Sequence, residues 1–124
     1  MMSGGWWRIS SVMTLLALGV AAHAAEPLRE EFAYAIPLDN GRYQVTLGFI
    51  EPDTGTASGG RVFTVLANGK PQLQGFDVLA AANGDHERAV TRRFAVDVTN
   101  GRLQLDFLPS QGEAVVSSIS IRRQ

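Results

Sequence analysis

Two tyrosines and two acidic residues near the ends of apolar runs are the residues of this sequence best suited to chemistry. They are Tyr34 and Tyr43, together with Glu51 and Asp53. A tyrosine ring offers a flat apolar face with a polar tip, and a carboxylate accepts hydrogen bonds from hydroxyl groups. This combination is suited to holding a sugar, whose ring has apolar C–H faces and a rim of hydroxyls. The four residues are therefore candidate contacts for a carbohydrate.

Each of the four also has a structural interpretation. Tyr43 alternates in phase with the apolar residues that follow it, which predicts a core tyrosine with its hydroxyl at the rim. Tyr34 lies nearer a strand end and fits the core or a site equally well. Glu51 follows an apolar run and can accept hydrogen bonds from the N–H groups of its own loop. Asp53 has the sequence context of a turn aspartate.

Catalytic and metal-binding chemistry has little support in the composition. The sequence has no cysteine and two histidines, of which His86 alone lies outside the first 25 residues. One histidine without cysteines makes a zinc site only if carboxylates supply the other ligands. No nucleophile motif accompanies His86, and pairs of acids such as Asp85 and Glu87 are expected in a chain with 12 acidic residues. We therefore expect no enzyme activity, no metal site and no cofactor.

The elements that position the candidate residues are predicted to be strands. From Phe32 onward, apolar and polar residues alternate with period two, the repeat of a half-buried strand. Asn-Gly, the strongest short hairpin signal, occurs at residues 40–41, 68–69, 83–84 and 100–101. The predicted strands cover residues 42–49, 61–67, 73–79, 93–98, 102–108 and 115–121. Regular strands separated by turns predict an all-β fold, an antiparallel β-sandwich.

The first 25 residues have the pattern of a signal peptide. Arg8 precedes an apolar stretch over residues 9–22, and small residues follow it. The stretch is shorter than the roughly 20 apolar residues that a membrane-spanning helix needs, so a permanent anchor is the weaker interpretation. We predict a signal-peptide helix over residues 1–25, cleavage after Ala24 or Ala25, and one domain over residues 26–124. The predicted location is the periplasm or the outside of the cell.

The charge of the chain and its lack of cysteine argue against nucleic acid and membranes as partners of this domain. The chain has 11 basic and 12 acidic residues, and the predicted leader removes only Arg8, which leaves 10 against 12. With both signs interspersed, there is no basic face to attract nucleic acid. Without a cysteine there is no lipid-modified amino terminus. We expect no attachment to a membrane after cleavage.

The order of the predicted segments resembles the malectin domain, from about Phe32 to Ile121. The pieces that carry the resemblance are Tyr34-Ala-Ile-Pro-Leu, Asn40-Gly-Arg-Tyr-Gln-Val-Thr-Leu-Gly-Phe-Ile-Glu51, Gly60-Arg-Val-Phe-Thr-Val, Ala67-Asn-Gly-Lys, Gly75-Phe-Asp-Val, Asn100-Gly-Arg-Leu-Gln-Leu-Asp-Phe and Val116-Ser-Ser-Ile-Ser-Ile. The resemblance implies a jelly-roll β-sandwich that binds carbohydrate, in animals a glucose-containing disaccharide. In bacteria, similar domains are often appended to glycoside hydrolases.

The resemblance extends to some, but not all, of the residues that form the family's binding site. Tyr43 matches a family tyrosine, and Glu51 matches the glutamate that closes the same strand. After that glutamate the animal lectin has an aromatic pair, where this chain has Pro52 and Asp53. The family's aspartate near the carboxyl end and its amino-terminal segment, with its first sugar-contacting tyrosine, have no clear match here.

Three functional hypotheses follow. The first is a non-catalytic carbohydrate-binding module of an exported bacterial-type protein, with an oligosaccharide or polysaccharide as partner. The second is a protein-protein interaction module of the periplasm or cell surface that has lost sugar binding, and whose open sheet edge pairs with a partner or with itself. The third, a fragment of a larger hydrolase, is the weakest.

Overall fold

The computed structural model of the protein describes residues 6–10 and 31–124. In this part of the chain, eight strands form two antiparallel sheets. The strands are β1 (Trp6–Ser10), β2 (Phe32–Pro37), β3 (Gly41–Phe49), β4 (Val62–Ala67), β5 (Lys70–Phe76), β6 (Val90–Val98), β7 (Arg102–Gln111) and β8 (Ser118–Arg123), and a short helix, α1 (Val78–Ala81), follows β5. One sheet has the order β1-β8-β3-β6, and the other has the order β2-β7-β4-β5.

The core lies between the two sheets and follows from the period-two pattern. Along β3 the inward residues Tyr43, Val45 and Leu47 are buried, and Arg42 on the opposite face is exposed. The largest fully buried side chains are Phe49, Phe63, Phe107, Leu47, Leu103, Leu105, Ile119, Ile121, Val45, Val65 and Val78. All of them except Val78, which lies in α1, come from strands of the two sheets, which confirms the predicted all-β sandwich. Two packed four-stranded antiparallel sheets are typical of a jelly roll.

Several predicted strand boundaries are wrong by three residues: β5 begins at Lys70, β6 begins at Val90 and β7 ends at Gln111. The strand predicted over residues 73–79 ends at Phe76, because Asp77 begins helix α1 and accepts a hydrogen bond from Ala80 N at 3.0 Å. An aspartate at this position satisfies an N–H group that the first helical turn leaves without a partner. The last strand begins at Ser118 rather than at residue 115. The turn predicted at Asn68-Gly69 is confirmed as a hairpin between β4 and β5. Asn100-Gly101 joins β6 to β7 as predicted, but these strands lie in different sheets, so this turn is not a hairpin.

The predicted leader lies largely outside the described residues. The apolar stretch of the leader beyond Ser10 and the cleavage positions Ala24 and Ala25 lie outside the described residues. Trp6–Ser10 is described, and it forms a strand beside β8. Within the described residues, no helix is long and apolar enough to cross a membrane.

The antiparallel register gives the sandwich two distinct ends. Gly41 pairs with Val98 and Phe49 pairs with Val90, so β3 runs from one end to the other. We call the end with residues 39–42, 68–70 and 99–102 the turn end, and the end with residues 50–61, 82–89 and 111–117 the loop end. The candidate residues are divided between these two ends.

Candidate functional site: a polar cleft at the turn end

Tyr43 is a core tyrosine whose hydroxyl reaches the rim of the turn end. Its side chain is 4% exposed. The hydroxyl donates to Asp39 O at 2.6 Å and accepts from Arg123 Nη1 at 2.7 Å. The Arg123 guanidinium also lies 5.3 Å from the ring centroid. Both the face and the tip of this tyrosine are therefore engaged within the protein, as the structural interpretation predicts.

Tyr34 lies in the sheet that contains β7, and its ring is part of the core. It is 8% exposed and packs edge-on against Phe32 and Phe107, with centroid separations of 5.9 and 6.1 Å. Phe32 in turn stacks on Phe107 at 4.6 Å. A ring held in this way contributes to packing and presents little surface to a ligand.

Glu51 forms a buried ion pair at the loop end. Its Oε1 accepts from Arg61 Nε at 2.8 Å and its Oε2 accepts from Arg61 Nη2 at 2.9 Å. Oε2 also accepts from Asp53 N at 3.0 Å, and Arg61 Nη1 donates to Glu113 O at 2.7 Å. This bidentate geometry is the strong form of an arginine–carboxylate contact. It ties the loop after β3 to the segment after β7, and it leaves Glu51 4% exposed.

Asp53 is the predicted site residue whose carboxylate faces solvent. Its Oδ1 accepts from Gly55 N at 2.8 Å, the arrangement of a turn aspartate. The hydrogen bond from Gly55 N, followed by one from the Thr56 side chain, lowers the pKa of Asp53 below its ordinary value. The charged carboxylate is therefore the form that this loop favours.

We expect the lowered pKa of Asp53 to appear in a titration. Because the folded-state pKa lies below the unfolded value of about 3.9, the stability that it contributes is present above that value and is lost as the pH falls through the folded pKa. Carboxyl-carbon NMR should give a midpoint below about 3.9 for Asp53. In Thr56→Val, which removes one donor, the midpoint should rise. A midpoint at or above the ordinary value would contradict the loop geometry.

The four predicted residues do not meet at one place. Glu51 and Asp53 are neighbours at the loop end, and Tyr34 lies in the other sheet. Tyr43 and Glu51 are at opposite ends of β3, eight residues apart, which is about 26 Å at the rise of a strand. No single small sugar contacts all four side chains.

A cleft of about 650 Å³ lies at the turn end. This volume falls within the range of about 300–1,000 Å³ that is usual for ligand sites. It lies among β3, the β4–β5 hairpin and the β6–β7 connection, and its polar lining was not predicted from the sequence. The lining residues are Arg42, Ala67, Asn68, Gly69, Lys70, Gln72, Ala95, Val96, Asp97, Thr99, Asn100, Arg102, Gln104 and Asp106.

Part of this lining is held in a fixed geometry. Asn68 has φ +48°, and its Oδ1 accepts from Gln104 N at 2.7 Å. Gln104 Nε2 donates to Asp106 Oδ1 at 3.1 Å. Arg42 Nη1 and Asp97 Oδ1 are 2.7 Å apart on the exposed face of β3 and β6. The contacts of Asn68 and Gln104 hold amide and carboxylate oxygens beside the cleft before any ligand enters, whereas the Arg42–Asp97 pair is exposed.

Other lining side chains are available to a ligand. Among the described residues, no side-chain hydrogen bond or ion pair is recorded for Lys70, Gln72 or Arg102. They supply an ammonium, an amide and a guanidinium, all of them hydrogen-bond donors. With Arg42, Asp97 and Asp106, the lining has three cations and two anions.

The loop end has polar contacts that hold its loops together. His86 Nε2 lies 2.9 Å from Thr56 O, and Asp77 Oδ2 accepts from Gly59 N at 2.6 Å. Asp77 thus caps α1 and also holds the loop after β3. In the part of the chain that the structure describes, no group of three or more His, Asp or Glu side chains could hold a metal ion.

Comparison with known proteins decides the family. A family model described as the malectin domain matches residues 23–122. The chain belongs to the malectin-domain family. The match extends over both sheets of the described domain and agrees with the order of segments in the sequence. No curated protein sequence matches the chain at a significant level.

Solved structures from Bacteroides uniformis and from plants have a fold similar to this malectin domain. A β-glucuronidase of Bacteroides uniformis aligns with a TM-score of 0.67 at 16% identity, over 74% of this chain and 10% of the enzyme. A plant complex of the peptide RALF23 with FER and LLG2 aligns with a TM-score of 0.66 at 25% identity, over 77% of this chain and 26% of that chain. The ANXUR2 extracellular domain of Arabidopsis thaliana aligns with a TM-score of 0.66 at 21% identity, over 76% of this chain and 26% of that chain.

This malectin domain therefore spans about a tenth of the glucuronidase and about a quarter of the plant chains. In the enzyme, the similar part is one module within a much longer protein. The likeness shows the shared sandwich fold.

Proposed function

We propose that this malectin domain is a non-catalytic carbohydrate-binding module of an exported bacterial-type protein, and that a sugar chain lies in the turn-end cleft. Membership of the malectin-domain family supports the class of function. The observation that carries the location is the cleft of about 650 Å³ lined by fixed amides and free donors. A location in the periplasm or outside the cell belongs to the same proposal, because the sequence of residues 1–25 predicts export.

The chemistry of the cleft suits the hydroxyls of a sugar. A hydroxyl both donates and accepts hydrogen bonds, so it is best matched by neighbouring donor and acceptor groups. The cleft has Asp106 and Asp97 as acceptors, Lys70 and Arg102 as donors, and Gln72 as both. Because the turn at Asn68 is held by its contacts to β7, little ordering of the backbone is needed for binding.

The loop end is the weaker place for a sugar, although the sequence pointed there. Its three segments, residues 50–61, 82–89 and 111–117, contain no Phe, Tyr or Trp, so this end, like the cleft, provides no ring for a sugar to stack on. Glu51 is saturated by Arg61 and by Asp53 N. Asp53 keeps an exposed carboxylate, and a sugar bound at this end would depend on it.

The charge of the cleft favours an acidic sugar. Lys70 and Arg102 are free of ion pairs within the described residues, and a uronic acid carboxylate is a good partner for a guanidinium. Because no aromatic residue lines the cleft and it is open to water, binding should be weak. We expect a Kd on the order of 1 mM, which corresponds to about −4 kcal/mol.

Calorimetric titration of the exported protein with gluco-, galacto- and uronate-containing oligosaccharides tests this proposal. We expect uronate-containing chains to bind, and Arg102→Ala to weaken them about tenfold or more, since a hydrogen bond to a charged group contributes about 1.5–3 kcal/mol. Arg88→Ala is the matched control, because Arg88 is an exposed arginine of the loop end. It should leave the affinity unchanged.

Two outcomes would contradict the proposal. If no oligosaccharide binds to folded protein, the domain has kept its fold and lost sugar binding. If binding is lost in Asp53→Ala and kept in Arg102→Ala, the sugar lies at the loop end with the residues that the sequence singled out.

A further inference from the structure

Strand β8 has a second edge whose only neighbour among the described residues is β1. On one side β8 pairs with β3, from Tyr43↔Arg123 to Gly48↔Ser118. On the other side it pairs with β1, from Trp6↔Arg122 to Ser10↔Ser118. The sequence predicts removal of residues 1–25, which include all of β1. Processing would therefore leave the outer edge of β8 open.

An open strand edge presents unpaired backbone N–H and C=O groups that can pair with another chain. Two of the other three edge strands, β5 and β6, carry features that discourage such pairing, whereas β2 has no charged residue and a proline only at its end. Strand β6 has Arg92 and Arg93 exposed, and β5 contains Pro71 and register irregularities against β4. The first four residues of β8, Ser118-Ile-Ser-Ile121, contain neither a charge nor a proline.

The side chains of β8 alternate in a way that fits a particular neighbour. Ile119 and Ile121 are each 1% exposed and face the core, whereas Ser118, Ser120 and Arg122 lie on the other face. The register of β1 places Ile9 opposite Ile119 and Trp7 opposite Ile121. The outer edge of β8 therefore suits an antiparallel strand that has apolar residues opposite the core-facing residues Ile119 and Ile121.

We propose that, in the processed protein, a second copy of this chain occupies the open edge by antiparallel β8–β8 pairing about a two-fold axis at Ser120. This axis places Ile119 opposite Ile121 of the second copy, so each core-facing isoleucine lies opposite another isoleucine. Ser118 lies opposite Arg122 of the second copy, and Ser120 lies opposite its own equivalent. All five positions match in polarity.

The pairing joins the three strands that remain in each copy, β8, β3 and β6, into one sheet across the dimer, and it keeps like charges apart. The two Arg122 residues are separated by four residues along the paired strands, or about 13 Å. An isologous contact of this kind closes on itself and gives a dimer. With only about five residue pairs, the interface falls below the usual size of stable complexes. Dimerisation should therefore depend on protein concentration.

Single cysteines test this pairing cleanly because the chain has none of its own. Residues directly opposite in an antiparallel pair have Cα atoms about 4.5–5.5 Å apart, within the range of about 4.4–6.8 Å for a disulfide. The full-length gene carrying Ser120→Cys is expressed with export, its mature amino terminus is determined by mass spectrometry, and the purified protein is oxidised. We expect most of it to become a disulfide-linked dimer.

Ser118→Cys is the matched control, since it changes the same residue type on the same face of β8, two positions away. Its two copies would lie about 13 Å apart along the strands, too far for a disulfide. The absence of a cross-link in Ser120→Cys, or equal cross-linking of both variants, overturns the proposal. So does an exported protein that retains residues 6–10, because its own β1 then fills the edge.

Discussion

Replacing Arg61 with alanine is expected to lower the free energy of unfolding by about 3–5 kcal/mol. The substitution leaves the Glu51 carboxylate, whose residue is 4% exposed, without its two hydrogen bonds from the guanidinium. It also removes the donor to Glu113 O, which links the loops of the loop end. Removing one partner of a buried pair is costly because the charge left behind has neither water nor a partner. Urea unfolding of the two proteins measures the loss.

Arg42→Ala is the control for this prediction. Arg42 forms the exposed ion pair with Asp97, in which the two side chains are 56% and 64% exposed. Solvent screening makes such a pair contribute only about 0–1 kcal/mol. The double substitution Glu51→Leu with Arg61→Met removes both charges and should recover most of the loss. Equal losses for Arg61→Ala and Arg42→Ala would contradict a structural role for the Glu51–Arg61 pair.

Gly112→Ala is expected to destabilise the same end of the sandwich through the backbone. Gly112 has φ +67°, where an L side chain costs about 1–2 kcal/mol. A Cβ at this position would also press against the carbonyl oxygen of Gly60. Crowding of this kind typically costs a further 1–3 kcal/mol, an approximate range. The total loss should be about 2–5 kcal/mol, measured by thermal and urea unfolding.

Gly101→Ala separates the cost of the positive φ from the cost of steric crowding. Gly101 has φ +80°, but a Cβ there would meet nothing within 4 Å. This control should therefore show only the conformational cost of about 1–2 kcal/mol. If Gly112→Ala were no worse than Gly101→Ala, the close approach of the 111–117 segment to Gly60 would not hold in solution.

The fold was largely predictable because its main signal is local. Alternation along residues 42–49 identifies the buried face of β3, and the Asn-Gly pairs at 68–69 and 100–101 locate two of the turns. Asp77 shows where local reasoning failed. The alternation around it favours a strand, but its carboxylate caps α1 and also binds Gly59 N, which is 18 residues away.

The sites were less predictable because they depend on contacts between distant segments. Glu51 meets Arg61 because the nine residues between them turn back on themselves. The residue types in this segment do not determine that path. The turn-end cleft is assembled from β3, the β4–β5 hairpin and the β6–β7 connection. Asn68 was recognised as a turn residue, but its contacts with Gln104, 36 residues later, have no signature in the sequence.

We propose that the structural role and the sugar-binding role, which the sequence placed on the same residues, belong to different side chains. Tyr34, Tyr43 and Glu51 are held by contacts within the sandwich, and these contacts position the two ends of the domain. Apart from the exposed carboxylate of Asp53, the groups that we propose to meet a ligand are on the turn end, chiefly Lys70 and Arg102. Structure and sugar binding should therefore respond to different substitutions.

An NMR titration of ¹⁵N-labelled exported protein with uronate-containing oligosaccharides tests directly whether a sugar chain lies in the turn-end cleft. We expect saturable shifts for the backbone N–H groups of residues 68–70 and 99–102, and unchanged signals for residues 53–60 at the loop end. Shifts concentrated at residues 53–60, or no shifts at millimolar sugar, would contradict it.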